Sequence, residues 1–274
     1  MPSADRLVRL TATVAEAHVD LAVAEGCGLT GGGCRVADPV AGSVVVDYWV
    51  PADANPGADA LHAVLAAVGI DAPVDEAIEG DEWRSALRDF HQPVVAGRIR
   101  VRPPWVAPAP GFRDVVIDPG MAFGTGQHPT TRTSLELIAE VPRGPVLDAG
   151  CGTGVLAIAA ARLGFGPIRA IDHDPHAVRA TAAGARANMV DITVSQATIG
   201  ADPLPYAPIV FANLTLEVLR LLAVALAGQA PAHLVASGLR VHEVDDAVAA
   251  FAPLGLAEAR RLEEDGWASV RMAG

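Results

Sequence analysis

The sequence predicts an α/β protein in which a doubly wound parallel sheet follows a small α+β domain. From Val115 onward, apolar runs typical of strands alternate with helical runs, which indicates a parallel sheet covered on both faces. A Gly-rich turn joins one of these strands to a helix at residues 148–154. The first 80 residues instead follow the order β-α-β-β-α-β, which favours a small α+β sandwich of the split βαβ type.

Elements of the first 80 residues follow from apolar spacing and turn residues. Residues 6–14 alternate polar and apolar positions, as a half-buried strand does. Residues 15–24 have helical spacing, and Gly26 predicts the end of that helix. The remaining patterns predict strands over 34–36, 43–50 and 74–78, and a helix over 59–68 that ends at Gly69.

Residues 81–112 differ in composition from both flanking segments. They contain Trp83, Trp105 and five prolines, which predicts a connector with one strand over 98–101. The predicted organisation is therefore a small domain over 1–80, a connector over 81–112 and an α/β domain over 113–274.

The α/β domain is predicted as a series of short strands and longer helices. Strands in such a sheet present ligands at their carboxyl ends. Strands are predicted over 146–148, 168–171, 192–195, 209–212 and 233–237 and twice near the C-terminus, and helices over 155–163, 175–188, 216–227 and 244–252.

Charge argues against nucleic-acid binding. The chain has 20 basic and 32 acidic residues, a formal net charge of −12, and no Lys, so all of its basic side chains other than His are Arg. Binding to a phosphate backbone needs clustered positive charge, so direct contact with nucleic acid is not expected. An acidic surface is compatible with a basic protein as partner.

Cysteine number and the length of the apolar runs predict a cytoplasmic protein. Cys27, Cys34 and Cys151 form no CxxC pair and have no His at zinc-finger spacing, so neither a disulfide scaffold nor a metal site is predicted. The N-terminus lacks the apolar core of a secretory signal. Apolar runs are interrupted well before the ~20 residues that span a bilayer.

The strongest local motif is DAGCGTG at residues 148–154, where a strand turns into a helix. Glycines permit the tight turn, and free backbone N–H groups are expected to point outward at the helix start. A dinucleotide pattern starting at Gly150 needs Gly or Ala where Val155 stands. A carboxylate at Asp148 suits the cationic end of a ligand and disfavours pyrophosphate.

A second acidic residue completes the predicted pocket. Asp172 lies 172 − 150 = 22 residues after Gly150, at the end of the next strand, where an acid accepts hydrogen bonds from a ribose. Its neighbour Asp174 is predicted to cap the helix that begins at Pro175. These residues describe a site for an adenosine-bearing, cationic cofactor such as S-adenosylmethionine; the alternative is an ordinary Gly-rich turn.

A longer motif resembles one protein family. Residues 118–131, DPGMAFGTGQHPTT, resemble the signature of the ribosomal protein L11 methyltransferase (PrmA) family of class I methyltransferases. The resemblance covers roughly residues 81–272 and implies a Rossmann-like methyltransferase sheet with a ferredoxin-like substrate-recognition domain before it. It also rests on Trp83, Phe90, Pro93, Pro104-Trp105 and residues 148–154, 171–175, 212–214, 237–238 and 264–267.

The resemblance implies particular residues for S-adenosylmethionine. Thr131 is expected at a helix start, where its hydroxyl would cap the backbone and face the ligand or would only cap. Asn213 ends an apolar strand, where it would orient an amine or serve as a turn residue. His128 is either a general base or a residue that holds the loop. The cofactor residues implied are Thr131, Gly150, Gly152, Asp172 and Asn213, and no catalytic side chain is assigned.

The expected activity is methylation of amino groups, a lysine side chain or an N-terminal amine, on ribosomal protein L11 or a similar basic protein. Positioning dominates transfer from an activated sulfonium, so no obligatory catalytic side chain is expected. Residues 213–216, Asn-Leu-Thr-Leu, depart from the family pattern and leave a small-molecule methyltransferase as the alternative. A third hypothesis is a regulator that binds the cofactor without turnover.

Overall fold

The computed structural model describes residues 7–30, 34–52, 54–78, 92–118 and 128–274. The chain divides into two compact units, Met1–Phe90 and His91–Gly274, and each has its own core. Within the described ranges, no helix is both long enough and apolar enough to cross a bilayer.

In its described residues, the first unit contains a four-stranded antiparallel sheet and two helices. Its sheet is ordered so that the first strand lies between the third and the fourth, as in ferredoxin-like domains, and this confirms the α+β fold predicted for the small domain. The elements are β1 (Leu7–Ala15), a 3-10 turn (Glu16–His18), α1 (Val19–Thr30), β2 (Cys34–Val36), β3 (Ser43–Pro51), α2 (Ala58–Ala67) and β4 (Val74–Ile78), in the sheet order β2-β3-β1-β4.

Helix α1 is longer than the sequence predicts. The spacing indicates an end at Gly26, but the helix continues through Gly28 to Thr30. A β-carbon on Gly26 would lie 2.2 Å from Cε1 of Tyr48, whose hydroxyl donates to the carbonyl oxygen of Ala22 at 2.7 Å. Gly26 therefore allows the helix to pack closely on the Tyr48 ring and does not terminate it.

Two of the cysteines lie in this first unit. Cys27 in α1 and Cys34 in β2 are half-buried free thiols that pack against the same apolar core. Hydrogen bonding between them lowers the pKa of Cys34 to about 7 and raises the pKa of Cys27. Cys34 is therefore the more reactive of these two thiols.

The described part of the second unit, residues 92–118 and 128–274, contains a seven-stranded and a three-stranded sheet. The large sheet has the order β10-β9-β8-β11-β12-β14-β13, and its elements follow the predicted alternation of strand and helix. In chain order the elements are β5 (Val94–Ala96), β6 (Ile99–Arg102), β7 (Arg113–Val116), α3 (Pro129–Ala139), β8 (Val146–Ala149), α4 (Val155–Leu163), β9 (Ile168–Asp172), α5 (Pro175–Ala187), β10 (Thr193–Gln196), β11 (Ile209–Asn213), α6 (Leu216–Ala225), β12 (His233–Arg240), α7 (Val244–Phe251), β13 (Ala257–Glu264) and β14 (Trp267–Ala273).

Strands β10, β9, β8, β11 and β12 are parallel, whereas β14 runs antiparallel to both β12 and β13. The sheet is thus not parallel throughout, because a hairpin of two strands closes one edge. Counted within this sheet along the chain, the strand order is 3-2-1-4-5-7-6.

Both faces of the large sheet are covered. On β8 the side chain of Val146 joins an apolar cluster with α3 and α4, whereas its neighbour Leu147 joins a second cluster with α6 and α7. On β11 Phe211 and Val210 divide in the same way. Since successive strand residues point to opposite faces, the two clusters lie on opposite sides, and the doubly wound architecture is confirmed.

The predicted connector contains more strand than expected. One strand was predicted over 98–101, but β5 and β6 form a hairpin there, and β7 pairs in parallel with β6. The carboxylate of Asp114 on β7 accepts hydrogen bonds from the side chains of Arg100, at 2.7 and 3.0 Å, and Arg102, at 2.8 Å. The hairpin was missed because three residues show no clear alternation.

Candidate active site

The Gly-rich turn after β8 brings three strand ends together. Gly150 has a φ of +79°, and a β-carbon there would lie 2.4 Å from Cδ2 of Leu214, which follows β11. Leu214 in turn donates its backbone N–H to the carbonyl oxygen of Ser237 on β12 at 3.0 Å. The turn therefore requires glycine at position 150 both for its conformation and for this close approach.

The backbone N–H groups of this turn are occupied. Those of Gly150 and Cys151 donate to the carbonyl oxygen of Ile171, at 2.9 and 3.0 Å, and that of Gly154 donates to Cys151. The prediction that free N–H groups point outward is wrong for these residues, because the turn crosses the end of β9 and pairs with it. This differs from a phosphate-binding loop, whose N–H groups face the ligand.

Asp172 at the end of β9 is fixed in place by the main chain. Its Oδ2 accepts from the N–H of Gly152 and its Oδ1 from the N–H of Asp174, both at 3.0 Å. A carboxylate oxygen has two acceptor positions, so Oδ2 retains one for a ligand hydroxyl. Oδ1 also lies 3.2 Å from Nδ1 of His173, whose side chain is largely exposed. Asp174 caps α5, as predicted, by accepting from the N–H of His176 at 2.8 Å.

Asp148 does not face a ligand as expected. It is fully buried, and its Oδ2 accepts from the N–H of Ala157 in the first turn of α4 at 3.0 Å. Burial raises the pKa of this carboxyl to about 7, a net value in which the hydrogen bond from Ala157 opposes the shift and the charge of Asp172 adds to it. Asp148 therefore stabilises the first turn of α4 by accepting a backbone hydrogen bond.

The third cysteine lies inside this turn. Cys151 is buried, and Thr181 of α5 donates its hydroxyl to the carbonyl oxygen of Gly152 at 2.9 Å, with Sγ of Cys151 3.2 Å from the same hydroxyl oxygen. Burial raises the pKa of the Cys151 thiol to about 12. The side chain packs the turn against α5 and is chemically inert at neutral pH.

Helix α3 lies beside the same edge of the sheet. Its N-cap is His128, whose Nδ1 accepts from the N–H of Thr130 at 3.3 Å, so the expectation that Thr131 caps the helix is wrong. Thr131 is buried two residues into the helix, and its N–H donates to the carbonyl oxygen of His128 at 3.0 Å. Among the described residues, its hydroxyl makes no hydrogen bond, which leaves it for a ligand.

Asn213 connects the sheet to α3. It is half-buried at the end of β11, and its Nδ2 donates to Oγ1 of Thr130 at 3.3 Å. Thr130 Oγ1 also lies 2.7 Å from Nδ1 of His128. Thr130 was not singled out from the sequence, although it stands in the same His-Pro-Thr-Thr motif as Thr131.

A buried cluster of hydroxyls fixes the first turn of α3. The carbonyl oxygen of Thr130 accepts from Ser134 at 2.6 Å and from Ser237 of β12 at 3.0 Å. Ser269 of β14 donates to Ser237 at 2.7 Å and lies 2.6 Å from the hydroxyl of Thr133. This cluster was not predicted from the sequence, although small polar residues such as Ser237 and Ser269 within otherwise apolar strands are the signal that could have indicated it.

The five predicted residues surround the carboxyl ends of three strands. Gly152 donates a hydrogen bond to Asp172, and Gly150 packs against Leu214, which follows Asn213. Asn213 in turn donates to Thr130, which precedes Thr131. Trp83, Phe90 and residues 119–127 of the signature lie outside the described residues. In the described part of the chain, no group of His, Cys, Asp and Glu is arranged to hold a metal ion.

These features define the class of protein. The strand order 3-2-1-4-5-7-6 with one antiparallel strand, a Gly-rich turn after the first strand and a fixed acid after the second are those of a class I S-adenosylmethionine-dependent methyltransferase. Within this class, the chain belongs to the family of ribosomal protein L11 methyltransferases (PrmA), whose family model matches residues 58–273.

Individual relatives agree with this assignment and confirm the family predicted from the sequence. The chain is 38% identical over 241 residues to the ribosomal protein L11 methyltransferase of Bordetella parapertussis, covering 80% of this chain and 76% of the relative. It is 37% identical to that of Chloroflexus aurantiacus, covering 69% and 68%. The crystal structure of ribosomal protein L11 methylase from Lactobacillus delbrueckii subsp. bulgaricus matches with a TM-score of 0.61 at 25% identity, covering 67% of this chain and 98% of that one.

Proposed function

We propose that this protein transfers methyl groups from S-adenosylmethionine to amino groups of ribosomal protein L11, on a lysine side chain, the N-terminal amine or both. The family match over residues 58–273 carries the proposal, because it includes the entire seven-stranded sheet and the turn beside Asp172. The cytoplasmic location expected from the sequence belongs to this proposal, since ribosomal proteins are its substrate.

The cofactor site is proposed from the geometry of five residues. Asp172 accepts the ribose hydroxyls with the acceptor positions that Gly152 and Asp174 leave available. Gly150 and Gly152 form the wall over which the cofactor lies. Thr131 offers its hydroxyl from α3, and Asn213 closes the site on the side of the reacting methyl group.

Bound S-adenosylmethionine supplies a methyl group that its sulfonium has already activated. The residues of the chain have to bring a neutral amine into line with that group, and orientation of this kind accounts for much of the rate. Asp148 is too deeply buried to act as a base, and His128 is occupied as the helix cap. Asn213, whose carboxamide oxygen can accept an amine N–H, is the residue proposed to align the substrate.

The domain organisation has a role in this proposal. Residues 1–80 are assigned to substrate selection and 113–274 to methyl transfer, with 81–112 between them. The ferredoxin-like fold of the first unit supports a binding role, since its sheet and helices carry no residues of the cofactor site.

The direct test uses the purified full chain, methyl-labelled S-adenosylmethionine and ribosomal protein L11 from the same source. Intact mass should increase by multiples of one methyl group, and peptide mapping should locate the label on amines. Asp172→Ala should abolish the gain, whereas Asp174→Asn, which keeps the helix cap, should not.

Two results would contradict the proposal. Label found only in low-molecular-weight material would favour a small-molecule methyltransferase. Cofactor binding measured by calorimetry, without label in either fraction, would favour the regulator without turnover.

A further inference from the structure

A continuous chain of hydrogen bonds runs from the helix cap to the sheet edge. Nδ1 of His128 lies 3.3 Å from the N–H of Thr130 and 2.7 Å from its hydroxyl, and that hydroxyl lies 3.3 Å from Nδ2 of Asn213. These three side chains come from the start of α3 and the end of β11, next to the residues proposed for the cofactor.

The direction of each bond follows from the first one. Nδ1 of His128 accepts from a backbone N–H, which assigns the ring as the tautomer with an unprotonated Nδ1. In this tautomer the Thr130 hydroxyl, 2.7 Å away, donates to Nδ1 and shares its lone pair with that N–H. A hydroxyl has a single hydrogen, so toward Asn213 the oxygen of Thr130 acts as acceptor. The atom of Asn213 that faces Thr130 is therefore its amide nitrogen, and the alternative orientation of the carboxamide would place two acceptors together.

Charged and aromatic groups around His128 favour this arrangement. The ring packs edge-on against Trp267 of β14, with centroids 4.7 Å apart, and Arg240 at the end of β12 stacks on that indole at 3.8 Å. Burial lowers the pKa of His128, and Arg132 and Arg240 lower it further. Arg132 is itself paired with Glu264, at 2.6 Å, and with Asp265, at 3.7 Å.

We infer that Thr130 is a positioning residue, whose hydroxyl is held by His128 and fixes the Asn213 carboxamide so that its oxygen is left to accept an N–H of the substrate amine. This inference rests on the proposed function. Among the described residues, Oδ1 of Asn213 accepts no hydrogen bond, so it remains available. An amine that donates one N–H to this oxygen keeps its lone pair for the methyl group.

The test compares Thr130→Val, which keeps the branched shape and removes the hydroxyl, with Thr130→Ser, which keeps the hydroxyl. Thr130→Val should lower kcat by about tenfold through lost orientation, without changing the affinity for S-adenosylmethionine. Thr130→Ser should have a kcat close to that of the wild type, because it keeps the hydroxyl. In an Asn213→Ala background Thr130→Val should have no further effect, because the residue that it positions is gone.

A second readout does not depend on turnover. Nitrogen-15 NMR of the wild-type ring should show an unprotonated Nδ1 on His128 at neutral pH. Thr130→Val should raise the pKa of His128, measured by the same NMR titration, because it removes a hydrogen bond to the neutral ring.

Wild-type kcat in Thr130→Val, or failure of Thr130→Ser to restore it, would overturn the inference, as would a protonated Nδ1 in the wild type. If the wild type methylates no L11, the proposed function fails, and the NMR measurement still decides the hydrogen-bond chain.

Discussion

Leu214 occupies the space that a side chain on Gly150 would need, since a β-carbon there would lie 2.4 Å from Cδ2 of Leu214. A β-carbon on Gly238 would likewise lie 2.4 Å from the carbonyl oxygen of Leu214. Leu214 thus packs closely against both glycines. A side chain at Gly150 would meet the flexible side chain of Leu214, whereas a side chain at Gly238 would meet its backbone.

Gly238→Ala should destabilise the protein more than Gly150→Ala. Both substitutions force a residue with a β-carbon to a positive φ, at about 1–2 kcal/mol. Only at Gly238 does the new atom meet backbone that cannot turn aside. Chemical denaturation measures the difference, and Leu214→Ala should relieve part of the Gly150→Ala loss and little of the Gly238→Ala loss. Equal losses would contradict the proposed geometry.

Asp172→Asn should weaken binding of S-adenosylmethionine by about tenfold or more. An amide has one acceptor oxygen, so it cannot accept from both Gly152 and Asp174 and still bind a ribose. Calorimetry with the intact chain measures the affinity. Asp174→Asn is the matched control, since asparagine also caps helices, and its affinity should equal that of the wild type.

The free energy of unfolding of Asp148→Asn, relative to that of the wild type, should increase as pH rises. The folded pKa of Asp148 is raised from 3.8 to about 7 by burial, so between these values the unfolded carboxyl is ionised and the folded one is protonated. Stability of the wild type therefore falls across this range, by at most about 1.4 kcal/mol per pH unit, and asparagine removes that loss.

Denaturation of wild type and Asp148→Asn at pH 5, 6, 7 and 8 checks this trend. Substitution of the exposed Asp191 by Asn controls for the change in net charge. A stability difference that stays constant with pH would show that Asp148 titrates normally in the folded protein.

Asp114→Asn should destabilise the second unit by about 3 kcal/mol at neutral pH, because it leaves two largely buried arginines unpaired. The hydrogen bond from Arg100 lowers the pKa of Asp114 below 3.8, with Arg102 contributing in the same direction. The stabilisation is complete above the unfolded pKa and is lost as pH falls through the folded pKa, so the difference between variants should vanish in strong acid.

Asp246→Asn is the matched comparison for this pair. Asp246 bonds Arg220 at 2.8 Å, but both side chains are more than half exposed, so the loss should be below about 1 kcal/mol. Thermal unfolding of the two variants at pH 7 tests the contrast, and similar losses would count against the buried network.

The sequence predicts the sheet and the position of its site because both depend on local patterns. Apolar runs predict every strand of the large sheet. The separation of Gly150 and Asp172 along the sequence predicts that both lie at the carboxyl edge of that sheet, as they do. The antiparallel hairpin of β13 and β14 was not distinguished from parallel strands, since strand direction depends on partners far away in the chain.

Other features depended on contacts that no local pattern contains. The local pattern predicts that the helix ends at Gly26, whereas the structure shows that this glycine makes room for the Tyr48 ring. Thr130 and Ser237 are 107 residues apart, and only the folded sheet brings the hydroxyl of one to the carbonyl oxygen of the other. The helix cap is a further example: Thr131 was expected to provide it from its place at a helix start, and the structure assigns it to His128.

The three thiols give the protein a ready means of selective labelling. Burial keeps Cys151 protonated and shielded in the Gly-rich turn, whereas Cys34 in the first unit has a pKa of about 7 and is partly accessible. A maleimide dye at neutral pH should therefore attach to the ferredoxin-like unit and leave the methyltransferase unit unlabelled. A fluorescent reporter for substrate docking can thus be installed on the native chain without engineering a single residue.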